Sequence, residues 1–279
     1  MMLRAALADY PHVAALKADT TTFAWETVNP ITRAFRRMVR TGDFDLCEIA
    51  LTTLGQAVAH HKNLIGLPVV VMRGFHHAAL VCPTDSPIRG PEDLRGKRIA
   101  VRAYSQTTGV WLRGILKDSY GVDHRDIVWV TEEDAHVQEY QDPPNVVRAQ
   151  NLAVLFASGQ VDAAIALTGL DPALTRPVIA DPDRAAAAWF RETGVYPVNH
   201  VVCVKTEHRP LIPDLMRRFH AAKAASTSPP AEARYTPIVG PDPIPYGLEA
   251  NRAGIALCLR YAAEQGLTPK TYTPEDLFA

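Results

Sequence analysis

The sequence predicts an α/β protein of two lobes, and three observations carry that expectation. Apolar strands alternate with amphipathic helices along all 279 residues, the order that builds mainly parallel sheets with helices on both faces. Three strands end in polar turns: Thr52-Thr53, Ser105–Thr108 and Thr168-Gly169. Two strands, Ala78–Cys82 and Val198–Lys205, flank the middle third of the chain. If both connect lobes, residues 1–82 plus 200–279 form lobe one and residues 83–199 form an inserted lobe two. A cleft then lies between them, and clefts between domains are where small ligands bind by default.

Taken in order, Leu3–Leu7 reads as a strand that ends at Ala8-Asp9-Tyr10-Pro11, and Phe23–Val28 as a second extended stretch before Asn29-Pro30. Ile31–Arg40 is an amphipathic helix with Ile31, Ala34, Phe35 and Met38 on one face. Its arginines Arg33, Arg36, Arg37 and Arg40 read as a solvated face, and Gly42 ends it. Phe44–Leu51 is a strand that opens at Thr52-Thr53 into a short helix through Ala59. Leu64–Met72 is a buried strand, followed by Arg73-Gly74-Phe75-His76-His77 and the strand Ala78–Cys82. Pro83–Pro91 is a connection rich in Pro, Asp and Gly, and Pro91–Leu94 a short helix.

The middle third is organised around Ile99–Trp111. Ile99–Val101 is a short buried strand after the basic turn Arg95-Gly96-Lys97. Tyr104–Thr108 is polar, and Val110, Trp111, Ile115 and Leu116 then recur at helical spacing. The first turn of such a helix carries unpaired N–H groups at the positive end of its dipole and so binds anions. Ser105, Thr107 and Thr108 add hydroxyl donors; the rival reading of any one of them is an N-cap. Beyond it, Ile127–Val130 is a strand and Thr131–Asn145 a polar stretch without a period. Val146–Ser158 reads as a helix, Val161–Leu167 as a strand and Asp181–Thr193 as a helix. Val198–Lys205 is a strand, Leu211–Ala225 a helix, Ser226–Pro245 a Pro-rich loop and Leu248–Gly266 an amphipathic helix. A last short helix sits near Pro274.

Composition narrows the function classes. The net charge is −1, with 47% hydrophobic and 21% charged residues, so no field gathers nucleic acid or an anionic membrane surface. Cys47, Cys82, Cys203 and Cys258 are far apart, form no C-x-x-C pair, and read as buried free thiols. No run approaches the ~20 apolar residues of a membrane span, and Asp9 and Pro11 interrupt any leader-like run. The expectation is a cytoplasmic protein. Its oligomeric state is open, a homodimer included.

One segment, RGKRIAVRAYSQTTGVWLRGILKDSYGV, resembles the corresponding segment of the 4,5-dihydroxyphthalate decarboxylases. FDLCEIALTTL, RGFHHAALVCPTDSPIRGPEDL, YPVNHVVCVK, DPIPYGLEANR and YAAEQGLTPKTYTPEDLF agree in the same order. The resemblance implies a two-lobed type 2 periplasmic-binding-protein-like fold and a lyase that decarboxylates a hydroxylated aromatic dicarboxylate, most simply 4,5-dihydroxyphthalate to protocatechuate. Ala50, Thr52 and Thr53 stand where the family has serines. His76-His77 replaces arginine-histidine, and Ser105-Gln106 replaces a glutamine and an apolar residue. These differences bear on the substrate rather than the fold. A non-catalytic binding protein for an aromatic acid, or another enzyme on the same fold, are the alternatives.

Such a reaction needs an anion site, a partner for the phenol and an acid that delivers a proton to the ring carbon. Histidine suits proton transfer near neutral pH. His77 and His200 match histidines of the family segments, and His76 adds a third imidazole; each is otherwise a hydrogen-bonded structural residue. Arg73 is a candidate carboxylate clamp, with a salt bridge as its rival. Thr52, Thr53, Ser105, Thr107, Thr108, Asn199 and Tyr246 complete the expected substrate site. Trp111 reads as core, and Asn251-Arg252 as either a cleft closure or a packed helix start. No cofactor is expected, because a hydroxylated ring tautomerises to hold charge. A divalent metal on His76, His77, His200 and Glu48 is the less favoured alternative.

Overall fold

The computed structural model describes residues 2–279. Its strands are β1 Leu3–Ala6, β2 Phe23–Trp25, β3 Leu46–Ala50, β4 Leu64–Arg73, β5 Leu80–Pro83, β6 Arg98–Val101, β7 Val128–Thr131, β8 Val146–Arg148, β9 Ala163–Ile165, β10 Thr175–Pro177 and β11 Val198–Lys205. The α-helices are α1 Ala14–Lys17, α2 Thr32–Thr41, α3 Leu51–Ala59, α4 Thr107–Tyr120, α5 Leu152–Ala157, α6 Pro182–Thr193, α7 Ile212–Ala224, α8 Thr236–Val239, α9 Leu248–Glu264 and α10 Pro274–Leu277.

Two sheets form, in the orders β2-β1-β3-β11-β4 and β10-β5-β9-β6-β7-β8. Within them β2-β1-β3 and β9-β6-β7-β8 are parallel, as the strand–helix alternation predicts. The antiparallel pairs involve the strands next to the crossings between sheets: β11 against β3 and β4, and β5 against β9 and β10. A strand entering a sheet from the other lobe is free of the parallel direction that a helical crossover imposes.

Some expected elements differ. Val146–Ser158 is not one helix: Val146–Arg148 joins the sheet edge beside β7, and only Leu152–Ala157 is helical. Consecutive β-branched valines favour the pleated edge. Thr175–Pro177 is a further edge strand against β5, and Ser226–Pro245 contains the short helix α8. Because β5 belongs to the second sheet, the first crossing falls before Leu80, ahead of the expected lobe boundary at residue 82.

The two crossings lie side by side. Val198 pairs with Arg73, and the Gly74 N–H donates to Pro197 O at 3.3 Å. Arg73 is buried here. Its guanidinium lies 4.1 Å from the centre of the Tyr196 ring and donates to Asn251 Oδ1 of α9 at 2.7 Å and to Tyr196 O. Burial lowers its pKa to about 10, so it remains charged at neutral pH. His76 stacks on Trp111 with ring centres 6.4 Å apart, and His77 meets Trp189 edge-on at 6.0 Å. Trp111 fixes this cluster by donating from Nε1 to Val198 O at 3.0 Å. The crossing is therefore an aromatic core with an embedded guanidinium.

Helix α9 braces the second lobe. Gln265, just beyond its end, accepts from Arg113 Nε at 2.6 Å and donates to Val110 O at 2.9 Å. Tyr261 donates to Asp118 at 2.8 Å. Gly114 of α4 permits the approach: a Cβ there would lie 2.2 Å from Tyr261 Cδ2, far inside contact distance. Gly114→Ala should cost about 1–3 kcal/mol through overpacking, read as a lower midpoint in urea unfolding. An unchanged midpoint would show that the two helices part without penalty.

Burial lowers the pKa of His76 to about 3, with His77 beside it adding to the effect, and lowers that of His77 to about 4. Both rings are thus neutral in the folded state, whereas histidines of the unfolded chain protonate near pH 6.5. The unfolded chain binds the extra protons, so this stability is complete above pH 6.5 and is lost as pH falls toward about 4 and then 3. Each ring steepens the decline by at most about 1.4 kcal/mol per pH unit. Urea titrations between pH 7 and pH 4.5 should show the loss. His77→Phe, which keeps a ring against Trp189, should make the decline shallower; an equal slope would contradict a neutral His77.

Candidate active site

Two helix starts meet where the sheets face each other. β3 runs into α3 at Ala50, and β6 leads through a polar turn into α4 at Thr107. Neither helix has a side-chain N-cap. In α4 the N–H groups of Thr107, Thr108 and Gly109 precede the first intrahelical bond, from Val110 N–H to Gln106 O at 3.0 Å. Thr52 Oγ1 joins the two ends, donating to Ser105 O at 2.9 Å and lying 2.8 Å from Thr107 Oγ1.

A cavity of ≈ 390 Å³ opens at this junction. Thr53, Ser105, Thr107, Thr108, Asn199 and His200 line it, as expected from the sequence. Asn199 Nδ2 reaches Thr108 Oγ1 at 3.5 Å, and its buried Oδ1 has no partner among the described residues. Thr52 lies behind the wall, almost fully buried.

Four expected site residues are elsewhere. Arg73, His76 and His77 belong to the crossing: their side chains are engaged by Tyr196, Asn251 and the tryptophans rather than by the cavity. Tyr246 points into the core beneath the first sheet, where it packs against Phe219 at 6.3 Å and His220 at 5.5 Å. Asn251 donates to Pro245 O at 2.7 Å and Gly247 O at 2.9 Å, so it secures the start of α9. Because His76 and His77 pack on tryptophans, the ligand set His76, His77, His200 and Glu48 does not converge.

Glu48 and His200 do meet. They lie on the paired strands β3 and β11, diagonal to each other because His200 is opposite Ala50 and Glu48 opposite Val202, with His200 Nδ1 2.7 Å from Glu48 Oε1. Glu48 is 0% exposed. Its carboxylate also accepts from the Tyr10 hydroxyl at 2.7 Å and from the Ala8 N–H at 3.0 Å. Three contacts compensate a charge that would be costly if buried alone. With Nδ1 committed, Nε2 is the ring nitrogen His200 offers to the cavity.

The cavity holds a second histidine, which the sequence reading did not single out. His136 lies in the irregular stretch between β7 and β8, where no period announces a role. Its Nδ1 is 2.9 Å from Thr53 Oγ1. Phe35 packs edge-on against both imidazoles, at 5.0 Å from His200 and 5.7 Å from His136. Burial, and then the charges of Arg102 and Arg36, lower the pKa of His136 to about 3. Two arginines of α2, read from sequence as a solvated face, hold this stretch. Arg40 donates to His136 O at 2.8 Å and Ala135 O at 3.0 Å, and Arg36 to Asp134 O at 3.4 Å. Arg102, also on the cavity wall, pairs with Glu133 at 2.6 Å.

The arrangement offers an anion two helix N-termini and offers a reacting group two imidazoles in unlike surroundings. No helix among the described residues is long and apolar enough to cross a membrane.

Comparison with known proteins agrees with this layout. Residues 22–220 match the family model described as "ABC transporter, phosphonate, periplasmic substrate-binding protein". A 4,5-dihydroxyphthalate decarboxylase of Comamonas testosteroni is 27% identical over 88% of this chain and 84% of its own. One of Pseudomonas putida is 30% identical over 56% of this chain and 67% of its own. Among solved structures, the periplasmic aliphatic sulphonate binding protein SsuA from Escherichia coli aligns over 99% of this chain and 97% of its own, with a TM-score of 0.59 at 15% identity. The shared architecture extends to both sheets, and the chain belongs to the 4,5-dihydroxyphthalate decarboxylase family, on the periplasmic-binding-protein-like fold that the phosphonate family model describes.

Proposed function

We propose that the protein decarboxylates a hydroxylated aromatic dicarboxylate, most simply 4,5-dihydroxyphthalate, to give protocatechuate and carbon dioxide. The names of the relatives suggest the substrate. The observation that carries the chemistry is the buried Glu48–His200 pair beside two uncapped helix starts.

In this reading the carboxylate that stays on the ring binds the free N–H groups at the start of α4, where the helix dipole favours negative charge. The second carboxylate lies toward His200. The ring hydroxyl para to that carboxylate pushes electron density onto the carbon that bears it. Protonated His200 gives that carbon a proton from Nε2. The carbon–carboxylate bond then breaks, carbon dioxide leaves, and the bonding pair returns to the ring to restore aromaticity. One proton enters and one carbon dioxide departs, with no change of oxidation state to supply. The scheme uses no cofactor, because the hydroxylated ring itself holds the electron pair. Glu48 orients the imidazole and faces the positive charge that the ring carries before transfer.

Binding without turnover is the second reading, since the binding-protein neighbours share the fold. Helix N-termini serve it equally well. A buried carboxylate that orients the imidazole and supports its protonated form suits a proton donor, and this favours proton transfer.

Incubation of the purified protein with 4,5-dihydroxyphthalate should release carbon dioxide and protocatechuate. His200→Ala should lower kcat by ~10²–10⁴-fold, the usual effect of losing a general acid, with substrate affinity much less affected. Glu48→Gln should lower kcat as well. Tight binding by the wild-type protein without product would establish the binding module instead. Activity lost on chelation and restored by a divalent metal would overturn the cofactor-free scheme.

A further inference from the structure

We propose that His136 is the residue that recognises a ring hydroxyl of the substrate, and that it does so from a stretch of the second lobe fastened to the first. This rests on the decarboxylase reading for its ligand and goes beyond it in assigning the second imidazole.

His136 lines the same cavity as His200, and its Nδ1 is held by Thr53 Oγ1 at 2.9 Å. Its other nitrogen, Nε2, has no partner among the described residues. Phe35 fixes the plane of the ring edge-on at 5.7 Å. The imidazole is thus oriented by one hydrogen bond and one aromatic contact, with a single polar atom left over. A side chain held so firmly around one free polar atom is arranged to meet a ligand.

The kind of ligand group follows from charge. Burial, and then the charges of Arg102 and Arg36, keep the ring neutral at the pH of the cell. A neutral imidazole is a poor proton source for carbon and a good hydrogen-bond partner for a hydroxyl. The carboxylate has stronger partners at the start of α4. A hydroxyl therefore suits His136 better than either carboxylate does.

The backbone makes this position depend on both lobes. His136 lies between β7 and β8 of the second sheet, yet its carbonyl accepts from Arg40 of α2 at 2.8 Å. Lys62, just beyond α3, pairs with Glu139 at 2.6 Å. The Thr53 contact comes from the first lobe as well. Separation of the lobes would withdraw the imidazole from Thr53 and Phe35 together.

The test compares two ligands that differ in hydroxyls alone. Dissociation constants for 4,5-dihydroxyphthalate and for phthalate are measured by calorimetry on proteins that carry His200→Ala to suppress turnover and are wild type, His136→Phe or His136→Gln at position 136, with carbon dioxide release followed separately on the protein that retains His200. Wild type should prefer the hydroxylated ligand by about tenfold or more, the value of one or two well-placed hydrogen bonds. His136→Phe keeps a ring against Phe35. It should cut that preference by about 3- to 10-fold through loss of affinity for the hydroxylated ligand, with phthalate binding unchanged. His136→Gln retains a hydrogen-bonding amide and should recover part of the preference; it also serves if the Phe variant does not fold. Equal ratios in wild type and either folded variant, or a wild-type ratio near one, would overturn the assignment. If wild type shows the preference and His136→Phe loses it, but no carbon dioxide is released, the decarboxylase reading fails and the role of His136 stands. If turnover occurs and the ratio does not move, the reverse holds.

Discussion

The paired crossing of β4 and β11 is the constraint on which the rest of the molecule depends. Val198 is paired to Arg73 where the chain returns from the second sheet, and the next residues pass directly over the cavity. His200 pairs with Ala50, the residue that precedes α3. Register alone thus delivers His200 to a helix N-terminus. Against β4 the same strand is irregular, with shifts between Val198 and His200 and on through Val202. A strict ladder alternates side chains between faces, and a one-residue slip reverses them. Bulges re-aim side chains and occur next to active sites. Here the irregularity falls on the stretch that carries Asn199 and His200.

Glu48 shows what that geometry demands in energy. A carboxylate in the middle of a buried strand costs several kcal/mol unless it is compensated. It receives the Tyr10 hydroxyl, the Ala8 N–H and His200. Buried pairs of this kind add little net stability compared with apolar residues of the same shape. The contribution of Glu48 is therefore best sought in what it does to His200. Tyr10 follows the end of β1 and Glu48 lies on β3, the neighbouring parallel strand, so two of the three contacts are built from the first sheet before the chain reaches the second, and His200 adds the third on its return.

Much of the fold was legible because it is written in periodicity. Parallel strands, their following helices and the polar turns at Thr52 and Thr107 follow from the spacing of apolar residues, and the resemblance joined them into two lobes. Valines 146 and 147 misled because a short apolar run suits a helix or an edge strand equally. The site was half legible. The helix starts, legible as polar turns after strands, and His200, singled out by the family resemblance, line the cavity. The resemblance points His77 to the cleft, with His76 beside it and Arg73 as a possible carboxylate clamp, but nothing local says that Trp111 and Trp189 cover that side. Tyr246 fails for the same reason: which core it enters depends on α7, not on its neighbours in sequence. His136 was invisible because its stretch has no period and its partners, Thr53, Phe35 and Arg40, come from 83 to 101 residues earlier.

Binding and turnover place different demands on one cavity, and the two imidazoles separate them. An anion needs only the α3 and α4 N-termini. The histidines add something else. They share Phe35 as a common spacer, yet the Glu48 carboxylate adjoins His200, while burial and the nearby Arg102 and Arg36, both paired with Glu133, keep His136 neutral. Like groups in unlike environments take different parts in proton chemistry. The asymmetry is intelligible if one imidazole must carry a proton and the other must not.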